Sequence, residues 1–324
     1  MCFCYCYLRV LPTSFSKEVR RKKKIMFNYY IYKTMYLGVH LFTNKGLLQA
    51  IKEAEVMDIN AIQLFIHSPA SWKVSSIPNQ ISLQFKEAIL KAKIKFVFAH
   101  SSYLINLASP KEQVYKNSII CLKKELNLCK QLGIPFLVVH TGSPLNKGEK
   151  YGIEKIIKSL KKIDEEGYLE KTGILLENTA GAGNTLGWKL EQLAEILKAL
   201  PQKEKIGICL DTCHLLASGY NISNSKGLRK TLKSFSQLIG MERLKLLHLN
   251  DSFYPCNSRR DKHQHIGKGY IGRKGFSNIV NEPKLKHLPM ILETPKGVNY
   301  NYDKENLSVL RSLIKDEQNL KHLN

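Results

Sequence analysis

The stretch Gly207-Ile-Cys-Leu-Asp-Thr-Cys-His214 decides how this chain is read. The run from Ile206 to Leu210 has the length and apolarity of a buried strand, and it stops abruptly at Asp211, with His214 three residues later. Both are metal-ligand residue types. The same event recurs along the chain: YLGVH ends in His40, FVFAH in His100, FLVVH in His140, ILLE in Glu177, LKLLH in His248 and MILE in Glu293. Separate strands with helices between them bring such residues together only if the strands are parallel and their carboxyl ends share one face. That arrangement is a single (β/α)8 TIM barrel with its site at the carboxyl ends of the strands.

Working outward, the remaining punctuation supports eight strand-helix repeats. Strands are expected from Tyr36 to His40, Ala61 to Phe65, Lys95 to Ala99, Pro135 to Val139, Gly173 to Leu176, Ile206 to Leu210, Leu244 to Leu247 and Leu288 to Leu292. Helices are expected near Lys45 to Met57, Ile81 to Ala92, Tyr151 to Ile163, Leu190 to Leu200 and Lys226 to Ile239. A long helix reads as opening on Ser109 (N-cap) and Pro110 (first turn) and stopping at Gly133 and Pro135.

Length and composition fit this fold. The 324 residues are 44% hydrophobic and 24% charged, enough for one large core. No apolar run reaches 18 residues, and the basic cluster from Arg20 to Lys24 follows the apolar MCFCYCYL, the reverse of a secretory signal. The expected location is cytoplasmic, beside the nucleoid in a bacterium, and the default state is a monomer. Residues 1–34 show neither helical nor strand period and read as a basic extension or a misplaced start, with Met26 or Met35 as alternatives; 35–315 form the barrel domain and 316–324 a short tail. Eight cysteines without a CxxC pair fit a reducing compartment better than a disulfide framework. Net charge is +23, and residues 1–34 hold only eight of the 50 basic and one of the 27 acidic residues, so the excess runs through the whole chain. Such a balance suits a polyanionic partner, nucleic acid before membrane, although lysine enrichment of a biased genome gives the same count.

Nine residues make up the expected cluster: His100, His140, Glu177, Asp211, His214, His248, Asp261, His263 and Glu293. Three or four ligands satisfy one zinc ion, so nine imply two or three ions with at least one bridging carboxylate. Clustered ions can activate water and stabilise a leaving oxygen, which is the chemistry of phosphodiester hydrolysis. His40 reads as a neighbour of the cluster rather than a ligand; His265 reads as outside it, and His67, His287 and His322 as surface or loop residues. Cys213, between two of the nine, reads as a packed thiol. Gly267-Lys-Gly-Tyr-Ile-Gly272 matches GxGxxG in form, but it follows the polar Lys262-His-Gln-His265 instead of a strand, which argues against a dinucleotide site.

The blocks His100-Ser-Ser-Tyr-Leu-Ile-Asn-Leu107, His140-Thr-Gly-Ser143, Leu176-Glu-Asn-Thr-Ala-Gly181, Leu210-Asp-Thr-Cys-His214, His248-Leu-Asn-Asp251, Asp261-Lys-His263 with Ile266-Gly-Lys-Gly269, and Leu292-Glu-Thr294 closely resemble endonuclease IV, the zinc-dependent apurinic/apyrimidinic endonuclease family. The resemblance covers about Met35 to Leu313. It implies three Zn2+ ions: one on His100, His140 and Glu177, a second on Glu177, Asp211, His248 and Glu293, and a third on His214, Asp261 and His263. It further implies hydrolysis of the phosphodiester 5′ to an abasic site in double-stranded DNA by a zinc-bridging hydroxide, leaving a 3′-hydroxyl and a 5′-deoxyribose phosphate, with trimming of blocked 3′ ends as a further activity. Tyr103 and Leu104 match the family's inserted loop, Lys262 would contact phosphate, and Trp72 would anchor its own loop. Two positions depart from the family. Ala70 stands where an arginine usually enters the DNA, and Lys268 where an acid usually lies between two glycines. The competing readings are a single-metal sugar isomerase or epimerase using Glu177, Asp211, His248 and Glu293, and a barrel that binds DNA without cutting it.

Overall fold

The apolar runs become strands that close on themselves. In the computed structural model, which describes residues 35–200 and 204–315, the barrel strands are β1 (Tyr36–Leu41), β2 (Ala61–Leu64), β3 (Phe96–His100), β4 (Phe136–His140), β5 (Gly173–Glu177), β6 (Ile206–Asp211), β7 (Leu244–His248) and β10 (Pro289–Leu292). Every neighbouring pair is parallel, and β10 returns to β1 to complete the ring. Two short strands, β8 (Asp251–Ser252) and β9 (His263–Gln264), pair antiparallel as a ribbon outside the barrel. The helices are α1 (Leu47–Val56), α2 (Asn79–Lys91), α3 (Glu112–Leu132), α4 (Glu149–Glu165), α5 (Leu190–Lys198), α6 (Thr212–Ala217), α7 (Ser225–Leu238), α8 (Gly272–Val280) and α9 (Asn301–Leu313). Residues 1–34 and 316–324, expected to be tails, lie outside the described residues, as does His322.

Three expectations need correction. The long helix α3 opens at Glu112 with Lys111 at its N-cap, not on Ser109 and Pro110. Ser109 Oγ accepts the Lys111 N–H at 3.1 Å, so the serine closes a local turn ahead of the helix. Its C-terminal stop behaves as read: Gly133 takes the left-handed conformation (φ 74°) and its N–H caps Cys129 and Lys130 carbonyls. Second, α8 and α9 complete the eight expected repeats at positions for which the sequence suggests no range, and the short α6 is additional to them. Third, several strands run one residue further than their apolar runs. His140 pairs with Glu177, and Asp211 with His248, because backbone pairing continues across polar side chains as long as the register holds.

Strand periodicity then fixes what lies above the core. Ala61, Phe98, Val138, Leu175, Cys209, Leu246 and Ile291 form one buried cluster filling the barrel. Side chains two residues apart share a strand face. Two residues beyond each plug residue stand Gln63, His100, His140, Glu177, Asp211, His248 and Glu293, and β1 adds His40 two residues past Gly38. Seven of the strands therefore send one polar side chain to the layer above the apolar plug, and Glu293, the residue after β10, adds the eighth.

Candidate metal centre

Within that layer the spacing is short. His100 Nε2 and His140 Nε2 lie 3.1 and 3.0 Å from Glu177 Oε2. His248 Nδ1 lies 2.9 Å from Glu177 Oε1 and 3.1 Å from Glu293 Oε2. Glu177, Asp211, His214 and His248 are buried. Potential ligand atoms of His100, His140 and Glu177 fall within 4.8 Å of one another, as do those of Glu177, Asp211, His248 and Glu293. These are the first two ligand sets that the resemblance implies, and they share Glu177.

The third set is built by local chain geometry. Asp211 caps α6: its Oδ1 accepts the His214 N–H at 2.8 Å, which is why an Asp-x-x-His spacing delivers both side chains to one place. His214 Nδ1 bonds the Asn178 carbonyl oxygen at 2.8 Å, leaving Nε2 aimed at Asp261 Oδ2, 3.1 Å away. His263 comes from β9, with Nδ1 bonded to the Glu293 carbonyl oxygen and Nε2 3.6 Å from Asp261 Oδ1. Potential ligand atoms of Asp211, His214 and His263 lie within 4.8 Å of one another, as do those of Cys213, Asp261 and His263. The Cys213 thiol is pushed far up by burial and by Asp211, so it stays protonated unless a cation displaces its proton.

The electrostatics explain why this ring suits cations. Burial pushes the Glu177 carboxyl up, but His248 and His140 outweigh it and hold the group well below the usual carboxylate range. Glu293 is lowered in the same way, against burial, by His248 and His40. Asp261 is held at about 2, burial being overcome by His214 and His263. Burial drives His40 down to about 4, so its imidazole is neutral at physiological pH. Nε2 of His214 and of His263 are buried without a hydrogen-bond partner, although carboxylates stand close by. Ionised acids facing unpartnered imidazole nitrogens form the donor set that zinc accepts, so the residues fit the group.

Supporting residues went unread in the sequence. Gln63 donates to Glu293 Oε1 at 2.6 Å and lies 2.9 Å from His248 Nε2 through its Oε1, so one amide orients two members of the ring. Its signal was a glutamine inside the apolar strand AIQLF, two residues past the plug residue Ala61. Asn250 spans Asp211 and Glu293: its Nδ2 donates to Asp211 Oδ2 and its Oδ1 accepts the Glu293 N–H at 2.8 Å. Such partners set ligand orientation, and Gln63→Leu is expected to weaken metal retention by about 10–100-fold, read by chelator competition with the fold monitored by circular dichroism.

The ring opens into a cavity of about 420 Å³ whose wall includes His40, Tyr103, Lys262, Thr294 and Lys296. Tyr103 is 66% exposed and Leu104 half-buried beside it. Lys262 is exposed, its Nζ 4.1 Å from the centre of the Phe253 ring. Ala70 is exposed on the loop after β2, which is sewn to the Tyr103 loop by Tyr103 N–H to Pro69 O at 3.0 Å and Ser102 Oγ to Pro69 O at 2.6 Å. His265 stands apart from the ring, against Tyr302 and Asn306, and His287 is exposed. His67 lies in a loop, as expected, but not on the surface. Its side chain is 7% exposed and bonds the buried Glu125 at 2.6 Å, because the loop after β2 folds back over α3.

Comparison with known proteins agrees. The family model described as xylose isomerase-like TIM barrel matches residues 51–313. The protein named "Probable endonuclease 4" of Chloroflexus aggregans is 38% identical over 278 residues, covering 86% of this chain and 97% of that protein. Its namesake in Halothermothrix orenii is 40% identical over 279 residues, 86% of this chain and 99% of the relative. The crystal structure of endonuclease IV from Thermus thermophilus superposes with a TM-score of 0.75 at 31% identity, over 86% of this chain and 98% of that one. A 3-keto-D-glucoside 4-epimerase from E. coli, at 13% identity and a TM-score of 0.62, shares the fold alone. With the barrel, the strand-end ring and these relatives in agreement, the chain belongs to the xylose isomerase-like TIM barrel family and, within it, to endonuclease IV.

Proposed function

We propose that this protein is a zinc-dependent DNA-repair nuclease that hydrolyses the phosphodiester 5′ to abasic sites in double-stranded DNA. The observation that carries this reading is that two ligand sets share Glu177 while His214 and His263 meet Asp261 beside them, members of all three sets lining one cavity. A single-metal isomerase needs only one such set, and His214, Asp261 and His263 would be surplus to it. His100, His140 and Glu177 would hold one zinc, Glu177, Asp211, His248 and Glu293 a second, and His214, Asp261 and His263 a third. Zinc there would supply Lewis acidity, acidifying the attacking water and neutralising charge on the oxygen that leaves.

The chain's own residues would do the rest. Glu177, fully buried and ionised, keeps its carboxylate facing His100, His140 and His248 without a conformational search. Gln63 and Asn250 hold His248, Asp211 and Glu293 in place before substrate arrives. Lys262 on the rim would meet a backbone phosphate, and the overall basic charge would draw the duplex in. Tyr103 and Leu104 would enter the helix where a base is missing, since a gap is cheaply kinked and its sugar turned out of the stack. Water adds to phosphorus, the P–O3′ bond breaks, and the products are a 3′-hydroxyl and a 5′-deoxyribose phosphate. Ala70 cannot make the contact of a longer basic side chain, so Tyr103 carries more of the wedge.

The test is incision of a duplex oligonucleotide bearing one stable abasic-site analogue, with zinc-loaded protein and no added magnesium. The expected result is a single cut immediately 5′ to the lesion and none in the undamaged duplex. Absence of incision with the three strand-end sites filled would reject the abasic substrate; a strand-end ring that takes up only about one ion would favour the isomerase.

A further inference from the structure

Away from the strand-end ring, a second group of ligand-type side chains lies beneath the loops after β2 and β3. Cys121 and Glu125 are four residues apart on α3, so they occupy one helix face, one turn from each other. His67 reaches them from the loop after β2. Potential ligand atoms of all three lie within 4.8 Å of one another. Cys121 is 1% exposed and Glu125 fully buried.

The group is incompletely satisfied as it stands. Glu125 Oε1 accepts the Ser102 N–H at 2.9 Å and lies 2.6 Å from His67 Nε2. Glu125 Oε2 and His67 Nδ1 are buried without a hydrogen-bond partner. A buried carboxylate oxygen left bare costs free energy that a cation would offset. The strand-end ring carries the same signature, imidazole nitrogens within about 3 Å of a buried carboxylate beside unpartnered ring nitrogens. None of its residues is shared with this group.

We propose that His67, Cys121 and Glu125 form a further binding site for a divalent transition-metal ion of the zinc class. Imidazole, thiolate and carboxylate are all ligands such an ion accepts, and water can complete a fourth position. Binding releases the Cys121 thiol proton to solvent, and the two anionic ligands then balance the two charges of the ion, with no change of oxidation state. Burial beside Glu125 pushes that thiol up to about 12, so in the metal-free protein it keeps its proton and stays unreactive. An ion here would clamp the loop of Ala70 to α3. Glu125 already holds Ser102, next to Tyr103, so both DNA-facing loops would be fixed from below.

Cobalt(II) loading of the full-length protein tests this, because only a thiolate ligand gives the intense near-ultraviolet sulfur-to-cobalt charge-transfer band. The band is expected in the parent, lost in Cys121→Ser together with one equivalent of bound metal, and kept in Cys213→Ser. Absence of the band from the parent would overturn the proposal, as would its loss in Cys213→Ser with retention in Cys121→Ser. Should Cys121→Ser fail to fold, His67→Gln changes only a loop residue. It is expected to weaken cobalt binding at this site at least about tenfold, and an unchanged titration of the band would refute the assignment. These readouts are independent of DNA incision, so they stand whether or not the abasic duplex is the substrate.

Discussion

Replacing Glu177 with glutamine is expected to lower incision of an abasic duplex at least about a thousandfold, equivalent to about 4 kcal/mol of transition-state stabilisation. Glutamine matches the shape of glutamate but carries no charge, and it sets an N–H₂ group where one carboxylate oxygen stood. In the native ring those oxygens lie 2.9–3.1 Å from His100, His140 and His248, and all three histidines face a group held ionised against burial. Neutralising it removes the charge common to two ligand sets, so bound metal should fall along with activity. The barrel should still fold, because Leu175 and the rest of the apolar plug lie a layer below. Single-turnover incision, metal content and a thermal melt on one preparation separate these effects. A variant that cuts within a few-fold of the parent would sink the proposed role of Glu177.

That ring was legible in the sequence because a strand makes a simple ruler. Most buried runs end on their polar residue, and the period of two carries plug and ring residues on one face, as with Cys209 and Asp211 or Leu246 and His248. Histidines and carboxylates that close apolar runs stand out in the sequence. Gln63 obeys the same rule, yet it passed unnoticed because the apolar run continues through Leu64 and Phe65 and no break marks it. Asn250 and His67 were hidden for another reason. Asn250 acts across β6, β7 and β10, and His67 acts through Glu125, 58 residues away. No local pattern encodes which loop folds over which helix. Likewise the opening of α3 was misplaced because Ser109 satisfies a turn and a helix start with the same side-chain bond.

The GxGxxG stretch is a last case in which pattern and physics part, and it leads to a large effect on stability. Asp251, fully buried on β8, accepts backbone N–H bonds from Ser252 (2.8 Å), Gly267 (2.9 Å), Gly269 (3.0 Å), Ile271 (2.9 Å) and Gly272 (3.2 Å). The amides that would cradle a phosphate in a dinucleotide fold are turned instead on the chain's own carboxylate. Gly267 and Gly272 take φ of 80° and 67°, and a Cβ on Gly269 would stand 2.3 Å from the Ser252 carbonyl oxygen, so the glycines serve this close approach. Asp251→Ala leaves these donors without their acceptor. An unsatisfied buried donor costs about 1–3 kcal/mol. Burial pushes the Asp251 carboxyl up, a desolvation cost that the alanine no longer carries, and water reaching the half-buried glycines recovers part of the rest. The net loss should be about 3–5 kcal/mol, a fall in Tm of roughly 6–10 °C. Because Asp251 and Ser252 pair with Gln264 and His263, the loosened ribbon should also release His263 and weaken metal held with Asp261 and His214. Asp251→Asn should fare nearly as badly, since its amide turns two hydrogens toward backbone donors. A thermal melt of the asparagine variant matching the parent would show that packing, and not the accepting carboxylate, holds this loop.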